Sequence, residues 1–280
     1  MSIAKEYVNE KKVDSIRLST RPDYIDKNII KMLKKYGVKT IELGVQSTND
    51  YILQRCERGH TFKDVKKASK LIRWNGIKLG HQIMVGLPES TKLDELRCAQ
   101  DVIKLKPKII RIYPVLVIKG TKLEQEYIQG QYQPLTVGQA VERCKEMLYM
   151  FNKHKIEVIR IGLQNTEEIT DPKAKGSEVV AGPYHPAFGQ LVEDSVWYDS
   201  ISDKIKKINV KVKEVKLKVN FVDMNNAIGH KKENIKKIKQ IYDVDMIVEA
   251  DNNIKQGRSE LEIVQTYDEY MEQVREKIKL

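Results

Sequence analysis

Five polar side chains interrupt apolar runs near the carboxyl ends of predicted strands: Thr20, Gln46, Gln82, Lys119 and Gln164. In parallel α/β sheets that rim is where ligands are held, because the loops leaving those strand ends enclose them. Each residue alone is an ordinary strand-ending polar group, but five on one rim point to a site. Tyr113 and Lys119 are candidates to face a substrate, although a packed tyrosine and a surface lysine are the plainer reading of each. No paired carboxylate or Lys–His constellation accompanies them, which places acid–base chemistry of the isomerase or lyase kind last among the enzyme readings. His60, His81 and His185 stand in unrelated strings without a His-x3-His spacing, so no metal site is expected. Cys56, Cys98 and Cys144 lie dozens of residues apart, which suits neither a disulfide framework nor zinc and favours a reducing, cytoplasmic setting.

The elements that must position these residues alternate. Ser15–Thr20 predicts a strand, and Asp26 caps a helix carrying Ile29, Ile30 and Leu33 that stops at Tyr36-Gly37. Lys39–Gln46 predicts the next strand. Thr61 with Asp64 forms a capping box before Val65, Ala68 and Leu71, with Asn75-Gly76 as the stop. A strand over Lys78–Leu87, a helix over Leu93–Leu105, a strand over Ile109–Ile118, a helix from Thr136 to Phe151 and a strand over Glu157–Leu163 follow. Strands and helices in this order predict right-handed crossovers and a parallel sheet or partial barrel. From Gln164 to Ser200 the pattern lapses, and the prolines and glycines of Ala181–Gly189 predict a fixed loop.

The 280 residues leave room for a second, smaller domain. With 32% charged residues and no apolar run near the length of a bilayer span, a membrane protein is excluded, and the polar Met1–Lys12 segment lacks a signal peptide's apolar stretch. The formal charge of +11 raises the question of an anionic partner. Between Lys204 and Lys239 twelve lysines face only Glu214, Asp223 and Glu233, so most of the excess is expected there. In the same region Lys213–Phe221 predicts a strand, Asp223–Ile228 a short helix, Gly229–Lys232 a basic turn and Asn234–Tyr242 a helix. Strands over Val244–Ala250 and Glu260–Thr266 and a helix over Asp268–Lys279 complete a β-α-α-β-β-α order. That order resembles a KH module, a fold that clamps single-stranded RNA with backbone amides and a helix amino terminus. The segment Ile228-Gly229-His230-Lys231-Lys232-Glu233-Asn234-Ile235 keeps every anchor of the KH string Ile-Gly-x-x-Gly-x-x-Ile except the second glycine, replaced by Lys232. Gly229, His230, Lys231 and Lys232 are therefore the RNA-binding candidates.

Several strings in order, Ser19-Thr20-Arg21-Pro22-Asp23, Glu42-Leu43-Gly44-Val45-Gln46-Ser47, Arg58-Gly59-His60 and His81-Gln82-Ile83-Met84-Val85-Gly86-Leu87-Pro88-Glu89, resemble those of radical S-adenosylmethionine (radical SAM) enzymes. The branch is that of the Elongator catalytic subunit and oxygen-independent coproporphyrinogen oxidase. The resemblance runs from about Ser15 to Val192 and includes Arg160–Gln164 and the Gly182–Gly189 loop. It implies a partial (βα) barrel holding a 4Fe-4S cluster and S-adenosylmethionine, an electron donor for the cluster, and a 5′-deoxyadenosyl radical that abstracts a substrate hydrogen. It further implies that Gln46 and Arg58 hold the amino-acid and ribose ends of S-adenosylmethionine. Gln82 falls where relatives carry a ribose-binding Asp, and Ser19 where several carry a Glu; both departures are neutral hydrogen-bonding groups.

The family's Cys-x3-Cys-x2-Cys string and the glycine-rich segment after it are absent. The expectation is thus an α/β chain in two parts. Residues 1–200 form a partial parallel (βα) barrel of the radical SAM type lacking its first βα units, with a loop extension, and residues 201–280 a small α+β KH-like module. Such a truncated sheet is expected to expose an apolar edge at or beside the first strand, inviting self-association, and the chain alone is expected to be inactive for want of cluster ligands. The catalytic residues are not legible. The expected substrate is RNA, tRNA in particular. The alternative is a non-catalytic RNA-binding protein using the basic module. No coenzyme A phosphate-binding loop is visible between Ser200 and Leu280, so acetyl transfer is not expected.

Overall fold

The computed structural model describes residues 1–278. They form two compact units, Met1–Phe188 and the residues from Gly189 onward. In the first unit the elements are α1 (Ser2–Asn9), β1 (Ile16–Thr20), α2 (Lys27–Lys35), β2 (Val38–Gln46), α3 (Asp50–Arg55), α4 (Phe62–Trp74), β3 (Lys78–Val85) and α5 (Lys92–Lys104). They continue as β4 (Ile109–Pro114), β5 (Val117–Ile118), α6 (Lys122–Ile128), α7 (Val137–Lys153), β6 (Glu157–Ile161) and β7 (Val179–Ala181). The main sheet has the order β1-β2-β3-β4-β6, all parallel. Order along the sheet follows order along the chain.

Local chemistry starts and stops these helices where the residues say it should. Asp26 accepts from the Ile29 amide at 2.8 Å to cap α2, and Thr61/Asp64, Thr91/Asp94 and Thr136/Gln139 form reciprocal capping boxes on α4, α5 and α7. The period of two in the strands then sorts the faces. On β3, Leu79, His81, Ile83 and Val85 are buried on the side that α4, α5 and α7 cover. Lys78, Gly80, Gln82 and Met84 alternate with them and belong to the other face. Each fully buried aliphatic side chain in the helix-covered layer, such as Ile41, Leu43, Ile83, Ile112 or Ile72, contributes about 1.5–3 kcal/mol.

Several expectations need correction. The strand expected over Ile109–Ile118 is two: Pro114, with no amide to donate, closes β4, and Val117–Ile118 pairs antiparallel with β7 in a separate two-stranded sheet. The stretch expected to be loop from Gln164 to Ser200 contains β7 and the start of a helix, α8 (Phe188–Lys206). Gln82 is not at a strand end but within β3, opposite Gly44 and Arg111. The edge strand β1 is short and carries exposed Arg17 and Ser19, so the long apolar edge is not formed. Helices α1, α3 and α6 were not anticipated. No helix among the described residues is long and apolar enough to cross a membrane.

The second unit holds nearly all of α8, then β8 (Val212–Val219), α9 (Met224–Ile228), α10 (Glu233–Tyr242), β9 (Asp245–Ala250), β10 (Ser259–Thr266) and α11 (Tyr267–Ile278). The division falls at Phe188 rather than at residue 200, because Ile201 and Ile205 of α8 join the core built from Val215, Leu217, Ala227 and Ile238. Its sheet is mixed: β8 lies in the centre, parallel to β9 and antiparallel to β10. Lys279, where the last helix was expected to end, lies outside the described residues.

The charge distribution is also corrected. From Gly189 onward the sequence holds seventeen basic and seventeen acidic residues, so the whole excess of +11 belongs to the first unit. Strand pairing sets acids of later strands against the lysines of β8, with Lys216 meeting Glu249 at 3.1 Å and Lys218 meeting Glu262 at 2.6 Å, and Lys239 of α10 meets Asp245 at 2.9 Å.

The basic turn lies between α9 and α10. Gly229 has φ +79, and a Cβ there would stand 2.9 Å from the Asn234 amide nitrogen, so no other residue fits. Lys231 and Lys232 also have positive φ, +52 and +63, the left-handed conformation that the missing second glycine would favour. Lysine holds it at a cost. Asn234 donates to the Asn226 carbonyl at 3.0 Å and to the Asp194 carbonyl at 2.9 Å, and the Asp194 carboxylate accepts from the His230 amide at 2.6 Å, which pins the turn. Replacing Lys232 with glycine is expected to stabilise the chain by about 0.5–1 kcal/mol, seen as a higher urea midpoint; a lower midpoint would show that the lysine is not strained.

Candidate functional site

The inner face of the main sheet is organised in layers. In the lower layer Glu42 of β2, its side chain only 3% exposed, binds Arg111 of β4 at 2.7 Å, Gln82 of β3 at 3.2 Å and Arg17 of β1. Burial resists ionisation of Glu42, but the bonds from Arg111, Gln82 and Arg17 hold its carboxyl below the usual carboxylate range. The Gln82 carboxamide also donates to Ser19 Oγ at 3.0 Å. Ser19 and Gln82, singled out from the sequence, therefore do meet, but as members of the Glu42 network.

One layer towards the carboxyl ends, the groups are not satisfied by one another. Gln46 ends β2 with φ +65, and the Ser47 amide reaches back to the Val45 carbonyl at 2.8 Å, a γ-turn of the rare, strained kind. Its carboxamide oxygen is buried without a hydrogen-bond partner. Arg58 arrives from the end of α3, where Glu57 is left-handed and the Arg58 amide bonds the Leu53 carbonyl at 2.9 Å, closing the helix. Its Nε is likewise buried and unpartnered. Burial pushes the Arg58 guanidinium down from its ordinary value and the charge of Arg21 adds to this. Gly44 lies between: a Cβ there would stand 3.0 Å from Gln46 Nε2, 3.6 Å from Arg58 Nη2 and 3.8 Å from the Thr20 carbonyl oxygen. The Thr20 carbonyl, Gln46 and Arg58 thus come together over Gly44, where a larger side chain would crowd the Gln46 carboxamide. Beside it, a cleft of about 300 Å³ is lined by Arg58, Met84, Leu87, Val115 and Leu116.

An unpartnered acceptor next to an unpartnered cationic donor complements a group that carries both a donor and an anion, such as an α-amino acid zwitterion. Sequence reasoning singled out Gln46 and Arg58 but missed Gly44, Glu42, Arg17 and Arg111. The available signal was parity, since residues 42, 44 and 46 share one face of β2.

The histidines have structural partners: His60 Nε2 lies 3.2 Å from the Val45 carbonyl and His81 Nε2 lies 2.9 Å from Ser69 Oγ. Cys98 and Cys144 are buried in α5 and α7, and burial pushes both thiols up, that of Cys98 to about 12. Neither is an available thiolate ligand. Cys56 borders the cleft, its thiol also raised by burial. In the second unit the His230 amide of the basic turn is already used by Asp194.

Comparison with known proteins adds the following. The radical SAM superfamily pattern matches residues 1–97, and that of the Radical_SAM C-terminal domain matches residues 107–197. The chain is similar to a tRNA uridine(34) acetyltransferase of Methanocaldococcus jannaschii, 36% identical over 128 residues, which is 45% of this chain and 24% of that protein. It is 29% identical to human Elongator complex protein 3 over 136 residues, 48% of this chain and 25% of that one. Among solved structures, the archaeal Elp3 of Methanocaldococcus infernus with an N-terminal deletion superposes with a TM-score of 0.58 at 28% identity, over 71% of this chain and 45% of the other. The chain thus spans less than half the length of these relatives.

His81 gives the pH dependence of this scaffold. Burial lowers its pKa from 6.5 to about 3, so it stays neutral in the folded chain. The unfolded chain takes up a proton below about pH 6.5 that the folded chain does not, so stability is complete above that value and falls towards pH 3, by up to about 1.4 kcal/mol per pH unit. The urea midpoint is expected to drop between about pH 7 and about pH 5, and His81→Gln to flatten that slope; equal slopes in both proteins would contradict the assignment.

Proposed function

The chain belongs to the radical SAM superfamily, and on that premise we propose that its strand-end cradle holds the amino-acid end of S-adenosylmethionine in an enzyme that modifies RNA. The observation that carries this reading is that the Gln46 carboxamide oxygen and Arg58 Nε are both buried without partners, while the other ends of the same two groups, Gln46 Nε2 and Arg58 Nη2, stand over Gly44. Gln46 accepts from the α-ammonium, and Arg58 binds the α-carboxylate, where a charge-assisted bond in a buried setting is strong. Ser19 and Gln82, held in place by Glu42, form the floor and face the ribose. The apolar cleft at Met84, Leu87 and Val115 receives the nucleoside. The chemistry this cofactor supplies in the family is hydrogen-atom abstraction after one-electron reduction; the protein's part is to bind it, fix its orientation and exclude water.

The 4Fe-4S cluster is a different matter. Cys98 and Cys144 are buried in separate helices with raised thiol pKa values, and no group of three His, Cys, Asp or Glu side chains among the described residues is placed to hold a metal. The described residues do not fit a cluster. Our reading is that the chain alone binds S-adenosylmethionine without turning it over. The RNA substrate is drawn from the tRNA-modifying relatives and the basic charge. A non-catalytic role through the Gly229–Lys232 turn has less support, because the second unit is electrically neutral and Asp194 occupies the His230 amide.

Calorimetric titration with S-adenosylmethionine tests the cradle. The chain is expected to bind, Arg58→Ala and Gly44→Val each to weaken binding by about tenfold or more, and far-ultraviolet circular dichroism to stay unchanged. Equal affinity in all three proteins, or no binding by the unmodified chain, would overturn the assignment. Incubation with iron and sulfide is expected to leave no 4Fe-4S absorption in the visible spectrum.

A further inference from the structure

The excess charge of the first unit has a definite location. Helix α2 carries four lysines and no acidic residue, and α4 carries four lysines and Arg73 against the single acid Asp64. Asp64 is committed to the capping box with Thr61, accepting from its amide at 2.9 Å. All nine cationic side chains are exposed, and none forms an ion pair with a carboxylate among the described residues. The two helices are in contact, and Lys27 of α2 with Lys67 and Lys70 of α4 line one groove between them. This contrasts with the second unit, where Lys216, Lys218 and Lys239 are matched by acids.

The same face holds an exposed aromatic side chain. Trp74, at the end of α4, is 74% exposed, whereas Trp197 packs against the core of the second unit. The Lys70 ammonium rests 4.1 Å from the centre of the Trp74 ring. Trp74, Leu71, Lys70 and Lys67 form one side of a groove of about 510 Å³, with Lys27 and Asn28 at the start of α2 on the other. The one carboxylate there, Asp26, accepts from the Ile29 amide at 2.8 Å.

We propose that this α2/α4 face is an RNA-binding surface, with Lys27, Lys67 and Lys70 on phosphates and Trp74 stacked on a base. A row of unmatched lysines tracks a phosphate backbone, and an exposed indole supplies the flat apolar face that an unstacked base needs. When a phosphate draws Lys70 aside, the face of the Trp74 ring is free. A membrane surface fits less well, because bilayer-bound helices insert an apolar stripe and the apolar residues here, Ile30 and Leu33 on α2 and Val65 and Ile72 on α4, are buried in the core. The proposal rests on the RNA reading of the function and adds to it a surface separate from the Gln46–Arg58 cradle.

The test is fluorescence anisotropy of a labelled tRNA transcript titrated with the full chain over a range of salt concentrations. Lys67→Glu with Lys70→Glu is expected to weaken binding by about tenfold or more and to reduce the slope of log affinity against log salt by about two. Trp74→Ala is expected to weaken it by about tenfold with the slope unchanged. Lys231→Glu with Lys232→Glu, on the second unit, is expected to leave affinity within about twofold. Melting temperatures establish that each variant is folded. Wild-type affinity in the Lys67/Lys70 and Trp74 variants would overturn the surface while leaving RNA binding intact; absence of binding by the unmodified chain would overturn both. Charge-dependent capture by phosphatidylserine vesicles, with RNA binding unaffected by the variants, would assign the face to a membrane instead. S-adenosylmethionine binding is read independently of each outcome.

Discussion

A carboxylate sealed inside a parallel sheet stays ionised only when cations and hydrogen bonds match it, and Glu42 is that carboxylate. Leaving such a charge unpaired costs several kcal/mol, and its partners here come from three other strands, Arg17 of β1, Gln82 of β3 and Arg111 of β4. The strands cannot slip in register without breaking these bonds. Space for the Glu42 side chain comes from Gly80, where a Cβ would stand 2.8 Å from Glu42 Cγ and 2.8 Å from Ile109 Cγ1. One buried charge and one missing methyl group thereby fix the polar inner face of the sheet.

The layer above depends on that one. With Gln82 tied to Glu42 and Ser19, the Gln46 carboxamide oxygen and Arg58 Nε are among the buried polar atoms that remain without partners. Gln46 is strained in its backbone and unpartnered in its side chain, and Arg58 is desolvated beside Arg21. A fold that kept these groups for stability alone would be expected to satisfy them. Their cost is explained if a ligand completes them, and the acceptor and donor match the two ends of an amino acid.

Much of this was legible in the sequence wherever the cause is local. The capping box at Thr61, the start at Thr136 and the stops at Gly37 and Gly76 mark the helices because their partners are three or four residues away. The strings containing Gln46 and Arg58 pointed to the cradle. What was not legible depends on distant partners. Glu42 meets Arg17 and Arg111 from 25 and 69 residues away, and nothing in Lys39–Gln46 announces them. Helix α8 was hidden because the glycines and prolines just before it suggest a loop, and because residues around its circumference, such as Val192, Asp194, Ile201 and Ser202, are buried, which weakens the amphipathic signal. The charge count between Lys204 and Lys239 was right as a sum and misleading as a surface, since antiparallel pairing brings Glu262 to Lys218.

Gln46 and Arg58 form an incomplete pair that a zwitterion would complete. The most direct measurement is a two-dimensional ¹H–¹⁵N correlation spectrum of the labelled chain during titration with S-adenosylmethionine, following the Gln46 side-chain amide and the Arg58 Nε–Hε resonance. Both are expected to move and saturate together while the indole resonances of Trp74 and Trp197 stay in place. Saturating ligand that leaves the Gln46 and Arg58 signals unmoved would contradict that pairing.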